Sequence, residues 1–232
     1  MSYEFKAVAV DIDGTIAGLD WRISCEAIEV IRALEDSGIK VILASGNALC
    51  VVKALSRYIG CSGAVIAENG GVVEYKGVVK FLGDFNKAKA ALEAVKAKYG
   101  QVSESWSNRY RHVDLVIGRN LDLSELRSFL AQAAPGVKVI DSGFAYHLVD
   151  ENVNKGKGLM RALSMMGIKP QEVLAIGDSE VDVEMLEVAR LGAVVANADE
   201  KAKAVADYVA SKSFGEGFVE IVEKYVFKKL YP

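Results

Sequence analysis

Five short runs of apolar residues, each a strand's length and each ending abruptly in polar residues, constrain this chain most. They are Phe5–Val10 (FKAVAV), Ile39–Ala44 (IKVILA), Ala64–Ala67, Val173–Ile176 and Ala193–Ala196. Their apolar residues are not confined to alternate positions, so both faces of the sheet they form must be covered. Helical segments separate them. Ser24 is placed to cap a helix that runs to about Ser37, with Ala27, Ile28, Ile31 and Leu34 on one face and Gly38 as its stop. A second helix is expected over about Ala48–Ile59 and a third from about Gly156 to Met166. Two more cover Val181–Ala189 and Glu200–Ala206, and a last one runs from Phe218 to Lys229. This alternation predicts an α/β protein with a Rossmann-like, doubly wound parallel sheet.

The middle of the chain breaks the rhythm. After a hairpin over 72–82 turning at Lys76-Gly77 comes an Ala- and Lys-rich helix, Asn86–Tyr99. The strand His112–Gly118, a helix over Leu123–Ala134 closed by Pro135-Gly136, and strands near Val137–Ile140 and Phe144–Val149 follow. These elements form an α+β block with a small sheet of its own. The parse is a core of residues 1–82 and 153–232 interrupted by an insert, 83–152.

Composition narrows the class. With 28 basic and 31 acidic residues among 232, the net charge of −3 gives no electrostatic reason to bind nucleic acid. The longest uncharged stretch is the 12 residues Val41–Val52, short of the ~18–20 that a membrane helix needs. Glu4, Lys6, Asp11 and Asp13 interrupt the N-terminus too early for a secretory apolar segment. A soluble, cytoplasmic protein is expected. Its three cysteines, Cys25, Cys50 and Cys61, have no CxxC spacing and read as small buried residues. The amphipathic tail Lys224–Pro232 is expected to pack on the core or on a partner subunit of a homodimer, not on lipid.

In an open parallel sheet ligands bind beyond the carboxyl ends of the strands. The first run ends in Asp11-Ile12-Asp13-Gly14-Thr15 and the second in Ser45-Gly46-Asn47. The fourth ends in Gly177-Asp178-Ser179-Glu180-Val181-Asp182 and the fifth in Asn197-Ala198-Asp199. Lys155 arrives at the start of a helix. Singly, each is an ordinary turn, cap or surface residue. Together on one rim, the acids repel one another and call for a cation. Mg²⁺ is the physical candidate, because it prefers oxygen ligands and binds through a few carboxylates plus phosphate. Asp11 and Asp178 could ligate it directly, while Asp182 could ligate it or support a ligand. A carboxylate nucleophile beside a cation, a lysine and a hydroxyl suits phosphoryl transfer.

DIDGT (Asp11–Thr15), Ser45, Lys155 in NKGKGL and GDSEVD (Gly177–Asp182) resemble, in order, the four motifs of the haloacid dehalogenase superfamily of phosphohydrolases. The insert between the second and third motifs resembles the C2-type cap of its Cof-like branch. The stretches AENGG (Ala67–Gly71) and GAVVANADEKAKAVADYV are similar to the archaeal phosphoglycolate phosphatases within that branch. The resemblance implies Asp11 as nucleophile and Asp13 as general acid and base. It implies Mg²⁺ held by Asp11, the Asp13 carbonyl, Asp178 and Asp182. Ser45, Gly46, Lys155 and Asn197 would bind the phosphate or substrate, a small organic phosphate ester with 2-phosphoglycolate preferred over sugar phosphates. In one departure from that branch, Val181 stands where an Asn is usual. Lys155 rather than Lys157 fits the family's K-G-x-x-L spacing.

A phospho-accepting protein that does not hydrolyse is the reading from another class. The position of Asp13, spaced for proton transfer, favours hydrolysis. Arg109 and Arg111 could clamp a substrate carboxylate, although a solvated loop edge is the simpler reading of that segment. His112 and His147 read as structural.

Overall fold

A computed structural model describes residues 4–228. In chain order the first part contains β1 (Ala7–Asp11), α1 (Cys25–Asp36), β2 (Lys40–Ala44), α2 (Leu49–Ile59) and β3 (Val65–Ala67). The hairpin β4 (Val72–Tyr75) and β5 (Val78–Phe81) follows. The middle contains α3 (Phe85–Tyr99), β6 (Asp114–Ile117), α4 (Leu123–Ala133), β7 (Val137–Asp141) and β8 (Tyr146–Asp150). The last part contains α5 (Lys155–Met166), β9 (Val173–Gly177), α6 (Val183–Val188), β10 (Leu191–Val194), α7 (Glu200–Val205), β11 (Tyr208–Val209) and α8 (Phe214–Val222). A π-helical stretch, Glu223–Phe227, extends the last helix.

Two sheets form. The larger has eight strands in the order β11-β10-β9-β1-β2-β3-β4-β5, parallel except for the antiparallel hairpin at one edge. Its central strands are buried along nearly their whole length, and distinct apolar clusters cover the two faces. This is the doubly wound α/β core that the uniformly apolar strands demand. Ser24 caps α1 by accepting the Ala27 N–H, as its position in the sequence requires. The smaller sheet, β6-β8-β7, is antiparallel and packs against α3 and α4 through its own apolar cluster. No helix among the described residues is long and apolar enough to cross a membrane.

Two expectations shift, and one short strand is new. The last helix begins at Phe214, not Phe218. Gly215 and Gly217 do not delay it but are needed for close approach. A Cβ on Gly215 would lie 2.3 Å from the Ser24 Cβ, and one on Gly217 would lie 2.2 Å from the Lys212 carbonyl. Strand β11 is too short to have left a pattern. Cys25 and Cys50 are exposed rather than buried, because each lies on the outer side of a helix packed by its other face. Val226 of the tail is buried and the Lys224 ammonium lies 3.7 Å from the Tyr208 ring centroid. The expected final helical residue, Lys229, and the tail beyond it lie outside the described residues.

Glu220 fastens this end of the chain. Its carboxylate accepts the Tyr208 hydroxyl, the Ser211 N–H and hydroxyl, and the Lys212 N–H. Burial opposes ionisation, yet these hydrogen bonds win and hold the carboxyl at about 2. A depressed carboxyl contributes stability that is present above its unfolded value and lost as pH falls through the folded one. Solvent screens a carboxylate this near the surface, so Glu220→Gln is expected to lower unfolding free energy at neutral pH by only about 1 kcal/mol. Urea titrations should show that deficit closing between about 4.5 and about 2.

Candidate active site

Strand order and register bring the rim residues together. β1 lies between β9 and β2, and Asp11, its last residue, pairs with Ala44. Ser45 therefore starts one step past the sheet beside Asp11, and the β9 terminus places Asp178 on the other side. One oxygen each of Asp11, Asp178 and Asp182 lies within 4.8 Å of the others, a set that could hold one divalent ion. Lys155, the first residue of α5, is almost wholly buried among them. Its ammonium lies 2.5 Å from Asp11 Oδ1 and 2.7 Å from Asp182 Oδ1. Lys157 lies outside the site and donates to the Asn152 carbonyl.

Two carboxylates are aimed by their neighbours. Asp182 Oδ2 accepts the backbone N–H groups of Asp178 and Ser179 and the Ser179 hydroxyl. Thr15 donates to Asp178 Oδ1 at 3.0 Å, tying the first motif to the fourth. Asp13 lies beside this set of three acids but outside it. Its Oδ2 accepts the Asn47 side-chain N–H at 2.8 Å and the Ser45 hydroxyl at 3.3 Å. Gly14, at φ +97°, makes the loop between them possible: a Cβ there would lie 2.3 Å from Asp178 Oδ2. Gly14→Ala is thus expected to displace Asp178 and cut catalytic efficiency about 10²-fold, with circular dichroism unchanged.

The electrostatics are those of acids short of positive charge. Burial lifts Asp11 well above the usual carboxylate range; Lys155 opposes this, and Asp182, Asp178 and Asp13 add to it. Burial and then Asp182 push Asp178 up to about 7, against the Thr15 hydrogen bond and Lys155. Burial also raises Asp13, against Lys155, Ser45 and Asn47. Burial alone would depress Lys155, but Asp11 and Asp182 outweigh it and hold the ammonium charged. Asp11 Oδ2 is the one buried side-chain polar atom without a hydrogen-bond partner among the described residues. A hard cation fits this donor set, since it would satisfy that oxygen and neutralise the crowd.

A cavity of ≈ 1020 Å³ opens over these groups, walled on its far side by the insert. Gly46 and Val181 border it. Val181 also packs on the core cluster, so the position that departs from the expected Asn presents an apolar wall. At the mouth Trp21, from the core loop, meets Phe144, from the β7–β8 turn, with ring centroids 4.3 Å apart.

Two expectations are corrected here. Asn197 does not reach the cavity: its side chain donates to the Gly14 carbonyl and accepts the Phe214 N–H. β10 ends at Val194, so Asn197 lies past the rim and braces the loop. Arg111 is no free clamp. Its guanidinium is buried, 2.6 Å from Asp114 Oδ1, and it also donates to Ser107 and to the Gly46 carbonyl. Arg109 is exposed and donates to the Trp106 carbonyl.

The sequence reading missed the joint between core and insert. Glu68 accepts the successive N–H groups of His112, Val113 and Asp114. Burial and then the Asp114 charge push its carboxyl up to about 7, against those three N–H donors. Asp114 Oδ2 lies 2.7 Å from His147 Nδ1, which lies 3.1 Å from the Asn69 side-chain nitrogen. The AENGG stretch was the available signal, since an acid and an amide beside two glycines mark an irregular turn; both are buried at positive φ.

Fold and site define a hydrolase class. A family model described as haloacid dehalogenase-like hydrolase matches residues 8–103 and 81–222, and the chain belongs to that family. It is 40% identical over 225 residues to the phosphoglycolate phosphatase of Methanoculleus marisnigri, covering 95% of this chain and 96% of that one. It is 42% identical over 221 residues to the phosphoglycolate phosphatase of Methanothermobacter thermautotrophicus, covering 95% and 99%. Among solved structures, Thermoplasma acidophilum 0175 superposes with a TM-score of 0.88 at 30% identity, covering 96% of this chain and 99% of that one.

Proposed function

We propose that this chain is a Mg²⁺-dependent phosphomonoester hydrolase that converts 2-phosphoglycolate to glycolate and phosphate through an aspartyl-phosphate on Asp11. The observation that carries the chemistry is the buried Asp11 carboxylate, with one oxygen on Lys155 and the other unpartnered. The substrate reading draws on the likeness to relatives named phosphoglycolate phosphatase along nearly the whole chain.

In this reading Asp11 attacks phosphorus and the ester P–O bond breaks. Asp13 gives its proton to the departing alkoxide; burial raises its carboxyl, which suits an acid that must carry that proton. Asp13 then takes a proton from the water that attacks phosphorus, the Asp11–phosphorus bond breaks, and phosphate leaves. Lys155, Ser45 and the Gly46 backbone steady the phosphoryl oxygens. Asp11, Asp178 and Asp182, with the Asp13 carbonyl, would hold Mg²⁺. When bound, the ion supplies positive charge against the transferring group and the crowded acids.

The test is phosphate release from 2-phosphoglycolate, sugar phosphates and nucleotides, with Mg²⁺ or with EDTA. The expected result is the highest kcat/KM on 2-phosphoglycolate and loss of activity in EDTA, restored by Mg²⁺. Equal turnover in EDTA would remove the metal from the account, and a preference for sugar phosphates would replace the substrate.

A further inference from the structure

The insert's sheet turns one face to its own helices and the other to the core. Leu115, Ile117, Val139, Tyr146 and Leu148 pack with α3 and α4. Strand alternation therefore sets Asp114, Val116, His147, Val149, Lys138 and Ile140 on the opposite face. The register aligns Asp114, Val149 and Lys138 in one row across the sheet. Asp114 and His147 on this face are buried and bonded to each other. Lys138 stands apart on the edge strand β7.

Four cationic side chains border the cavity: Lys155, Arg111, Arg127 and Lys138. Three are occupied. Lys155 is held by Asp11 and Asp182, Arg111 by Asp114, and the Arg127 guanidinium donates to the Val139 carbonyl. Of these four, only Lys138 has neither an ion pair nor a side-chain hydrogen bond among the described residues. Burial lowers its ammonium; Lys157 adds to this, while Glu184, Asp150 and Glu151 oppose it without outweighing it. A half-desolvated cation in no salt bridge or hydrogen bond, with Glu184 bordering the same cavity but not contacting it, is suited to receive an anion.

We infer that Lys138 is a specificity-determining residue, binding the carboxylate of a small phosphorylated acid whose phosphoryl group lies against Asp11. This rests on the substrate reading above and adds to it the group that selects a charged over a neutral ester. The phosphate machinery is common to any phosphomonoester, so discrimination rests on groups elsewhere in the cavity lining, and Lys138 is the one unpaired cation among them.

The experiment compares kcat/KM for 2-phosphoglycolate and for ethyl phosphate, its neutral counterpart, in the native enzyme and in Lys138→Met and Lys138→Arg. Lys138→Met is expected to lower the ratio of the two values by roughly 10–100-fold, mainly through KM for the carboxylated ester. Lys138→Arg should recover part of it. An unchanged ratio, including a uniform fall on both esters, overturns the assignment. If the native enzyme prefers a sugar phosphate, the substrate reading fails but the ratio still decides Lys138. A fall keeps it as the carboxylate-selecting group, and no change removes it too.

Discussion

Asp11→Asn is expected to abolish turnover while the protein melts at a higher temperature. Loss of the attacking oxygen should cut kcat by on the order of 10⁴-fold or more, because an amide cannot form the acyl-phosphate and the remaining groups act only in concert with it. The stability half follows from the same carboxylate. Burial and three neighbouring acids raise Asp11 even with Lys155 in contact, so its ionised form costs folding free energy at neutral pH. A neutral amide relieves that repulsion, and Lys155 keeps Asp182 as a partner. Calorimetry and steady-state kinetics on one preparation check both halves. A lower melting temperature would mean that the Lys155–Asp11 attraction outweighs the crowding.

Lys155→Met has the opposite signature. The lysine is 2% exposed and supplies the positive charge in contact with Asp11 and Asp182. Removing it leaves uncompensated buried carboxylates, which should lower unfolding free energy by ~3–5 kcal/mol at pH 8. Lys155 is what opposes the upward shift of Asp11 and Asp178, so without it the neutral forms of these two become more accessible as pH falls. The deficit should therefore shrink towards pH 5, and millimolar Mg²⁺ should restore part of it by binding the folded state. Turnover should fall by about 10³-fold as the phosphoryl group loses a charged partner. A deficit that is the same at every pH, with or without Mg²⁺, would point to lost packing and not to charge.

The rim was legible because its residues follow directly on strands whose apolar pattern is unambiguous. Asp11 and Asp178 needed only a parallel sheet and adjacent strands to meet. The joint with the insert was not legible in the same way. Glu68 lies 44 to 46 residues from the N–H groups it accepts, and nothing local to 108–112 distinguishes Arg109 from Arg111. Tertiary structure makes that choice by carrying Asp114 and the Gly46 carbonyl to Arg111 alone. Asn197 failed for a simpler reason. A polar residue after a strand marks the rim only when the strand reaches it, and β10 stops three residues short. Lys138 gave no signal either, since a lysine on a half-polar strand is ordinary until its face and its lack of a partner are known.

The proposed mechanism requires Asp11 to accept the phosphoryl group, and reductive trapping tests that directly. Enzyme mixed with excess 2-phosphoglycolate and Mg²⁺, quenched during turnover and treated with borohydride, should yield homoserine at position 11 in peptide mass spectra, and none without substrate. An unmodified Asp11 in enzyme that is turning over, or reduction at Asp13 or Asp178 instead, would contradict it.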